Sequence, residues 1–264
     1  MTSKSAVSIL LALFLWATPA FAKSDPELIL QDGHSDKVTQ AVFSRDGRSL
    51  FSGSEDGTVK QWDLDTGRVI FTYLSADADR EGAYRPRIGA LALLHDEKWL
   101  ATGSSDGKVR LFNTTDGSLV REWPVPVSWG TELRIAALPG DRLAAIAGEQ
   151  KLYIYNASNG QLAKEQALDF RARVLATHGK MIALAGGETL VMASDDGQES
   201  ARTKLSSDCD SLTFSHDGTK LAAVGSKLDL LAAPSLKVVS SQDIEGSYAR
   251  AAYVGDGLWL SNQR

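Results

Sequence analysis

The sequence predicts an all-β fold made of repeated small sheets, and three kinds of observation support this prediction. Past residue 23, apolar runs of about five to eight residues occur in place of any helical 3.6-residue period. Gly, Asp, Asn and Ser separate these runs, as they separate antiparallel strands. The runs also recur at regular intervals along the chain, in units of about four runs each. An apolar residue follows the first turn of every unit. These residues are Leu50, Leu100, Leu143, Ile182, Leu221 and Leu260.

The third predicted strand of each unit aligns in the same way. The aligned segments are 58–64 (TVKQWDL), 108–114 (KVRLFNT), 151–157 (KLYIYNA), 189–195 (TLVMASD) and 227–233 (KLDLLAA). Their matched central residues are Trp62, Phe112, Tyr155, Ala193 and Leu231. A period of about forty residues with four strands per unit is typical of propeller blades. The predicted fold is therefore a β-propeller of four-stranded blades, with about six blades present.

The turns between the predicted strands have the chemistry that tight hairpins require. Asp-Gly and Asn-Gly pairs accept the positive φ angles of such turns. These pairs are Asp46-Gly47, Asp56-Gly57, Asp106-Gly107, Asp116-Gly117, Asn159-Gly160, Asp196-Gly197, Asp217-Gly218 and Asp256-Gly257.

The blades are predicted at 38–74, 88–123, 132–166, 173–205, 211–243 and, incompletely, 249–264. Segment 27–31 (ELILQ) is predicted to be an N-terminal strand that completes the last blade and closes the ring. That blade would still lack one strand, and an open gap exposes unpaired edges. Three explanations remain open: a truncated or shortened seven-bladed propeller, a six-bladed ring with a three-stranded closing blade, or a partner that supplies the strand.

The N-terminus has the pattern of a secretory signal peptide. Lys4 precedes an apolar run at 6–17 (AVSILLALFLWA), and Ala20-Phe21-Ala22 forms a small-x-small cleavage site. We expect the signal to occupy 1–22, the mature chain to begin at Lys23, and the protein to be periplasmic or extracellular. The run is short for a membrane span, and no later segment is long and apolar enough to be one.

Composition limits the classes of partner. The formal net charge is −5, which argues against nucleic acid and against an anionic membrane surface, because both require a basic face. The single cysteine, Cys209, excludes an internal disulfide. We expect Cys209 to be a small buried or half-buried side chain, with an intermolecular bridge as the alternative.

Four residues in the first unit carry a family resemblance. His34, Ser52, Asp56 and Trp62 match, in order and spacing, the hydrogen-bonded set inside a blade of WD-repeat proteins. The chain therefore resembles the WD-repeat β-propeller family, and it looks like an exported, bacterial-type member. The resemblance spans about residues 27–264 but is specific only over 27–123, since later units diverge. It implies that the four residues are structural.

The second unit keeps part of this set. Thr102 and Asp106 are retained, Phe112 replaces the Trp, and the His is missing.

The sequence contains no standard pointer to catalysis. A Ser, a His and an Asp occur in the first unit, but no G-x-S-x-G nucleophile elbow is found anywhere. His95, His178 and His216 fall in equivalent turns of different units, which would spread them around the rim and not bring them together. We therefore expect no enzymatic activity, no cofactor and no metal site.

Loops that enter the first strand of each blade lie on one face in WD-repeat proteins and commonly contact partners. Aromatic and Arg side chains are frequent interface anchors. The candidate partner-binding residues on this face are Lys37, Tyr84, Arg85, Arg87, Trp129, Arg171 and Tyr248. Trp123 and Trp259 are expected to pack between blades.

The first functional hypothesis is a non-enzymatic scaffold that presents these loops to a protein or peptide partner. One alternative is a propeller that uses its central channel as an enzyme or to bind a sugar, another small ligand or a metal. A second alternative is a fragment of a larger redox protein. The oligomeric state and the partner's identity do not follow from the sequence.

Overall fold

The computed structural model describes residues 33–74, 86–126, 132–147, 150–244, 248–254 and 257–262, all in one unit, Asp32–Arg264. All the regular secondary structure in these residues consists of β-strands. Consecutive strands pair into antiparallel sheets in chain order. No helix in these ranges is long and apolar enough to cross a membrane. The predicted all-β fold class is confirmed. The predicted signal segment 1–22 and closing strand 27–31 lie outside the described residues.

Three four-stranded sheets account for the first half of the described chain. Sheet 1 contains β1 (Val38–Phe43), β2 (Ser49–Ser54), β3 (Thr58–Asp63) and β4 (Val69–Leu74). Sheet 2 contains β5 (Ile88–Leu94), β6 (Trp99–Ser104), β7 (Lys108–Asn113) and β8 (Leu119–Pro124). Sheet 3 contains β9 (Arg134–Leu138), β10 (Arg142–Ile146), β11 (Lys151–Asn156) and β12 (Gln161–Ala167).

Two further four-stranded sheets and one smaller sheet follow. Sheet 4 contains β13 (Val174–His178), β14 (Met181–Gly186), β15 (Thr189–Ser194) and β16 (Glu199–Lys204). Sheet 5 contains β17 (Cys209–Phe214), β18 (Lys220–Gly225), β19 (Lys227–Ala232) and β20 (Lys237–Asp243). Sheet 6 contains, within the described residues, β21 (Tyr248–Val254) and β22 (Gly257–Asn262).

The strand register repeats from sheet to sheet as the sequence period predicts. The aligned apolar residue of each second strand pairs with the aligned central residue of the third. These pairs are Leu50–Trp62, Leu100–Phe112, Leu143–Tyr155, Ile182–Ala193 and Leu221–Leu231. A register shift on the outer side of the third strand falls next to the same residue in all five sheets. The five units therefore share one backbone plan, including the bulge that twists each sheet.

The core lies between sheets and not within them. Five apolar clusters join sheet 1 to 2, 2 to 3, 3 to 4, 4 to 5 and 5 to 6. Trp123 belongs to the cluster between sheets 2 and 3, with its ring centroid 5.8 Å from that of Tyr155. The expectation that Trp123 packs between blades is confirmed. The first strands of neighbouring sheets contact one another from β1 through β21, so the sheets radiate from these innermost strands.

The first and last sheets bury their outer faces less well than the others. Leu100 and Phe112 of sheet 2 are buried against sheet 1, whereas the equivalent Leu50 and Trp62 of sheet 1 are half-buried. On the last sheet, Trp259 is 68% exposed. The prediction that Trp259 packs between blades is wrong. Its neighbours Leu258 and Leu260 alternate to the face that covers sheet 5, which directs Trp259 to the opposite face.

The turns follow the predicted chemistry. The glycine has a positive φ in seven of the eight predicted Asp-Gly or Asn-Gly pairs, from 69° at Gly47 to 83° at Gly197. The eighth pair includes Asp256, which lies outside the described residues.

Two other glycines are required for close approach of the backbone. At Gly186 an added Cβ would overlap the carbonyl oxygen of Arg171, and at Gly225 it would overlap that of Asp208. These glycines end equivalent second strands, β14 and β18. The loop that enters the sheet therefore packs directly on the backbone at this position.

We expect Gly186→Ala to lower the free energy of unfolding by more than about 2 kcal/mol, because a backbone carbonyl cannot move aside as a flexible side chain can. Urea denaturation followed by circular dichroism measures the change. Gly33→Ala is the matched control, since nothing lies within 4 Å of its Cβ position, and it should change stability by less than about 0.5 kcal/mol. Equal stability of the two variants would contradict the close approach.

Candidate functional site

The four residues singled out in the first unit are brought together inside sheet 1. The Trp62 indole N–H donates to Ser52 Oγ at 2.7 Å, and Ser52 Oγ lies 2.8 Å from His34 Nε2. On the other side of the ring, His34 Nδ1 lies 2.9 Å from Asp56 Oδ2. With the proton on Nδ1, each group donates to the next from Trp62 to Asp56. The set is therefore internally satisfied, which removes the cost of burying its polar atoms.

The Asp56 carboxylate ends this chain of hydrogen bonds and stays ionised. Burial by itself would raise the pKa of Asp56, but hydrogen bonds from the Thr58 hydroxyl and amide, from the Ser35 amide and from His34 hold it below its ordinary value. Asp56 thus ties the loop before β1 to the turn between β2 and β3.

The Asp, His and Ser side chains are hydrogen-bonded in the order of a catalytic triad, but a substrate could not reach the Ser oxygen. Ser52 is 4% exposed, and its oxygen already accepts the Trp62 proton. A nucleophilic Ser must have a free oxygen that faces the substrate. The geometry therefore supports the structural role that the family resemblance implies for these residues.

In sheet 2 the equivalent turn carboxylate, Asp106, pairs with a residue that the sequence analysis did not identify. Arg110 Nη2 donates to Asp106 Oδ2 at 2.6 Å and Nη1 donates to Ser104 Oγ at 2.7 Å, while Nε lies 3.2 Å from Glu122 Oε2. Burial would raise the pKa of Asp106, but the hydrogen bonds from Arg110 and Ser104 lower it. Arg110 is 2% exposed, and it replaces the missing His as the partner of the turn carboxylate.

Replacing the Trp and the His in sheet 2 leaves the hydroxyl of Thr102 without the partners that Ser52 has in sheet 1. Its Oγ1 is buried and finds no hydrogen-bond partner among the residues that the structure describes. Thr102 occupies the position of Ser52, but Phe112 stands where Trp62 would donate. The sequence carries little signal for Arg110, because the equivalent residue of sheet 1, Lys60, is also a cation but is only half-buried.

The candidate partner-binding residues are placed only in part. Lys37, Arg87 and Arg171 are exposed and precede the first strands of sheets 1, 2 and 4. Tyr84, Arg85 and Trp129 lie outside the described residues. Tyr248 begins β21, where only its backbone is described.

The loops that carry Lys37 and Arg87 are anchored to the turns beside them. The Lys37 carbonyl accepts the Glu55 amide at 2.9 Å, and the Arg87 carbonyl accepts the Ser105 amide at 2.9 Å. Arg87 Nη1 also lies 3.8 Å from Glu55 Oε2, across the boundary between sheets 1 and 2. These two cations therefore lie on one rim of the molecule, on backbone that the sheets hold in place. We name the exposed cations Lys37, Arg87 and Arg171 the rim cations.

A cavity of about 430 Å³ lies among the innermost strands. Residues from β1, β9, β13, β17 and β21 line it, and they include Arg134 and Arg250. Arg134 Nη1 donates to the Gly89 carbonyl at 2.8 Å, and its Nη2 lies 2.6 Å from Glu132 Oε1. Arg250 Nη2 donates to the Thr39 carbonyl at 3.2 Å and so joins the last sheet to the first. The sequence analysis identified neither arginine, because only the packing of the sheets brings them together.

A strained turn connects β5 to β6, at the end of the sheets opposite the rim cations. His95, Asp96 and Glu97 all have positive φ angles, from 50° to 68°. The His95 ring stacks on Trp99 with centroids 4.4 Å apart, and its Nδ1 lies 2.8 Å from Asp141 Oδ2 on the next sheet. His95 thus fastens sheet 2 to sheet 3. Across the described ranges, no three His, Cys, Asp or Glu side chains gather as a metal site would require.

Cys209 is a buried side chain, as expected. It is 5% exposed, and burial raises the pKa of its thiol to about 12. A thiol of this kind is protonated at neutral pH and unreactive.

Two family models match the chain. The model described as "WD domain, G-beta repeat" matches residues 26–63 and 81–113, in the region where the resemblance is specific. The model described as "Outer membrane protein assembly factor BamB" matches residues 105–249, more than half of the chain. The chain therefore belongs to the BamB repeat family, and its residues 26–63 and 81–113 are similar to WD repeats. A WD repeat is a structural unit and not a catalytic motif, which agrees with the expectation of a non-enzymatic protein.

Relatives of known name share the repeats. Eukaryotic translation initiation factor 3 subunit I of Aspergillus fumigatus is 30% identical over 189 residues, or 65% of this chain and 51% of the relative. The same subunit of Aspergillus terreus is 36% identical over 103 residues, or 38% of this chain and 27% of the relative. Mitochondrial division protein 1 of Kluyveromyces lactis is 36% identical over 113 residues, or 37% of this chain and 16% of the relative. The chain spans about half the length of these relatives or less.

The contrast between Ser52 and Thr102 gives a matched test of the polar set. Ser52→Ala removes the partner of Trp62 and of His34 at once, and we expect the free energy of unfolding to fall by about 2–3 kcal/mol. Thr102→Val removes an oxygen without a described partner and should leave stability unchanged or raise it by up to about 1 kcal/mol. Urea denaturation of both variants measures the difference. A loss at Thr102 as large as that at Ser52 would contradict the assignment.

Proposed function

We propose that this protein is a non-enzymatic scaffold whose rim loops bind a protein partner outside the cytoplasm. The observation that carries the proposal is the placement of the rim cations. Lys37 and Arg87 are exposed, yet the loops that carry them are hydrogen-bonded to neighbouring turns. Backbone that is already ordered loses little further entropy on binding, so a rigid rim of this kind favours association.

The third rim cation is held in a different way. The backbone of Arg171 packs directly against Gly186 at the end of β14, while its side chain remains exposed. Arg is well suited to interfaces because its planar guanidinium binds carboxylates with two parallel hydrogen bonds. Tyr84, Arg85, Trp129 and Tyr248 remain candidates for the same surface on the basis of sequence.

The names of similar proteins support a role in an assembly. The relative from Aspergillus fumigatus is named as a subunit of an initiation factor, and the matching family model is named for an assembly factor. These names support the general idea of protein partners.

The proposed compartment rests on residues 1–22, which have the basic start, apolar run and cleavage site of a secretory signal. The family name, which refers to the outer membrane, supports the same compartment.

We expect the exported protein to begin at Lys23. The full chain, with a C-terminal affinity tag, is expressed in a Gram-negative host, and the periplasmic and cytoplasmic fractions are separated. Mass spectrometry of the intact protein then reports its N-terminus. Replacement of Leu11 and Leu13 by Arg is the control, because charges in the apolar run should keep the chain unprocessed in the cytoplasm. Recovery of unprocessed wild-type protein from the cytoplasm alone would contradict the export proposal.

We expect removal of the rim cations to abolish partner capture. The processed protein serves as bait in an extract of its own host, and the rim variant carries Lys37→Ala, Arg87→Ala and Arg171→Ala. At about 1 kcal/mol per interface charge, affinity should fall by more than about tenfold. The matched control carries Lys98→Ala, Lys180→Ala and Lys220→Ala, three exposed cations at the opposite ends of the strands. Equal capture by the two triple variants, or no capture by the wild type, would contradict the rim proposal.

A further inference from the structure

The cavity among the innermost strands has the size and lining of a small-molecule site. Its volume of about 430 Å³ falls within the usual range of ligand pockets, about 300–1,000 Å³. Much of its wall is apolar and includes Val174, Leu175 and Leu212. Ligand pockets combine such walls with a few charged or polar groups that orient the ligand.

Two guanidinium groups supply the charge in this cavity. Arg134 extends from β9 and Arg250 from β21, and both line the same space. Protein contacts orient them, since Arg134 is held by the Gly89 carbonyl and Glu132, and Arg250 by the Thr39 carbonyl. Preorganised guanidinium groups are suited to a planar or tetrahedral oxyanion, which accepts several of their N–H bonds.

The two arginines repel each other across the cavity. Burial lowers the pKa of Arg134, the charge and hydrogen bond of Glu132 raise it, and the charge of Arg250 lowers it. One carboxylate, Asp210, is found among the lining residues. Glu132 forms an ion pair with Arg134, with Nη2 and Oε1 2.6 Å apart, and this pair offsets part of the repulsion. A bound anion would relieve this repulsion, which an uncharged molecule of the same size could not do.

We propose that this cavity binds a small organic anion, whose carboxylate or phosphate group contacts Arg134 and Arg250 and whose apolar part lies against Val174, Leu175 and Leu212. The site differs from the rim surface and does not depend on the partner proposed above. Its two arginines belong to sheets 3 and 6, so a bound anion would also link strands that are far apart in the sequence.

Isothermal titration calorimetry of the processed protein tests the proposal with three probes, which are phenyl phosphate, inorganic phosphate and phenol. We expect phenyl phosphate to bind with a Kd below about 1 mM, since a charge-assisted contact and a buried ring both contribute to its affinity. Inorganic phosphate lacks the ring and should bind at least about tenfold more weakly. Phenol lacks the charge and should not bind measurably. Phenol binding as tight as that of phenyl phosphate, or equal binding of the two phosphates, would overturn the proposal.

The variant Arg250→Gln should weaken phenyl phosphate binding by at least about tenfold, because it removes a charge-assisted hydrogen bond to the anion. Arg121→Gln is the matched control, since Arg121 is exposed on the outermost strand of sheet 2 and its loss should not alter binding. Should Arg250→Gln fail to fold, the wild type alone decides the question. Its affinity for phenyl phosphate must then fall as sodium chloride is raised from 20 to 500 mM, roughly, because salt screens charge pairs. Affinity independent of salt, unchanged affinity in a folded Arg250→Gln, or no binding of phenyl phosphate at about 10 mM would overturn the assignment.

Discussion

Apolar packing between sheets is the constraint on which the rest of this structure depends. A twisted four-stranded sheet with apolar residues on both faces cannot bury either face within itself. Each sheet here is covered by its neighbours, through the apolar clusters that join consecutive sheets from 1 to 6. This need also explains why the backbone plan repeats so closely, because each sheet must fit the one before it and the one after it.

Polar groups inside the sheets contribute less to the fold than apolar packing does. Equivalent positions in different sheets satisfy or avoid buried polar groups in different ways. Sheet 1 uses a complete chain of donors from Trp62 to Asp56. Sheet 2 buries Arg110 against Asp106 instead. In sheet 4 the equivalent third-strand position is filled by Ala193, which needs no partner. Apolar packing is common to all three solutions, so the family's polar set can be lost while the fold is retained.

The rigid sheets position two kinds of surface. The loops before the first strands form a rim, where exposed cations are held by backbone hydrogen bonds to adjacent turns. The first strands themselves surround a cavity in which charged groups from sheets 3 and 6 meet. The rim is open to solvent and suits a large partner, whereas the cavity, at about 430 Å³, suits a small one. Neither surface requires the sheets to move.

The sequence by itself determined the repeat, the strand positions and the turns. The predicted third strands, at 58–64, 108–114, 151–157, 189–195 and 227–233, agree with the observed strands within one residue. It also identified the His34 set, because that set lies within one unit and its spacing is local. Only the tertiary structure decided that Arg110 replaces the His in sheet 2, that Trp259 is exposed, and that Arg134 and Arg250 share a cavity. The physical reason is distance along the chain. A period of about forty residues specifies each sheet, but a contact between sheets depends on how each sheet is rotated and packed against the next.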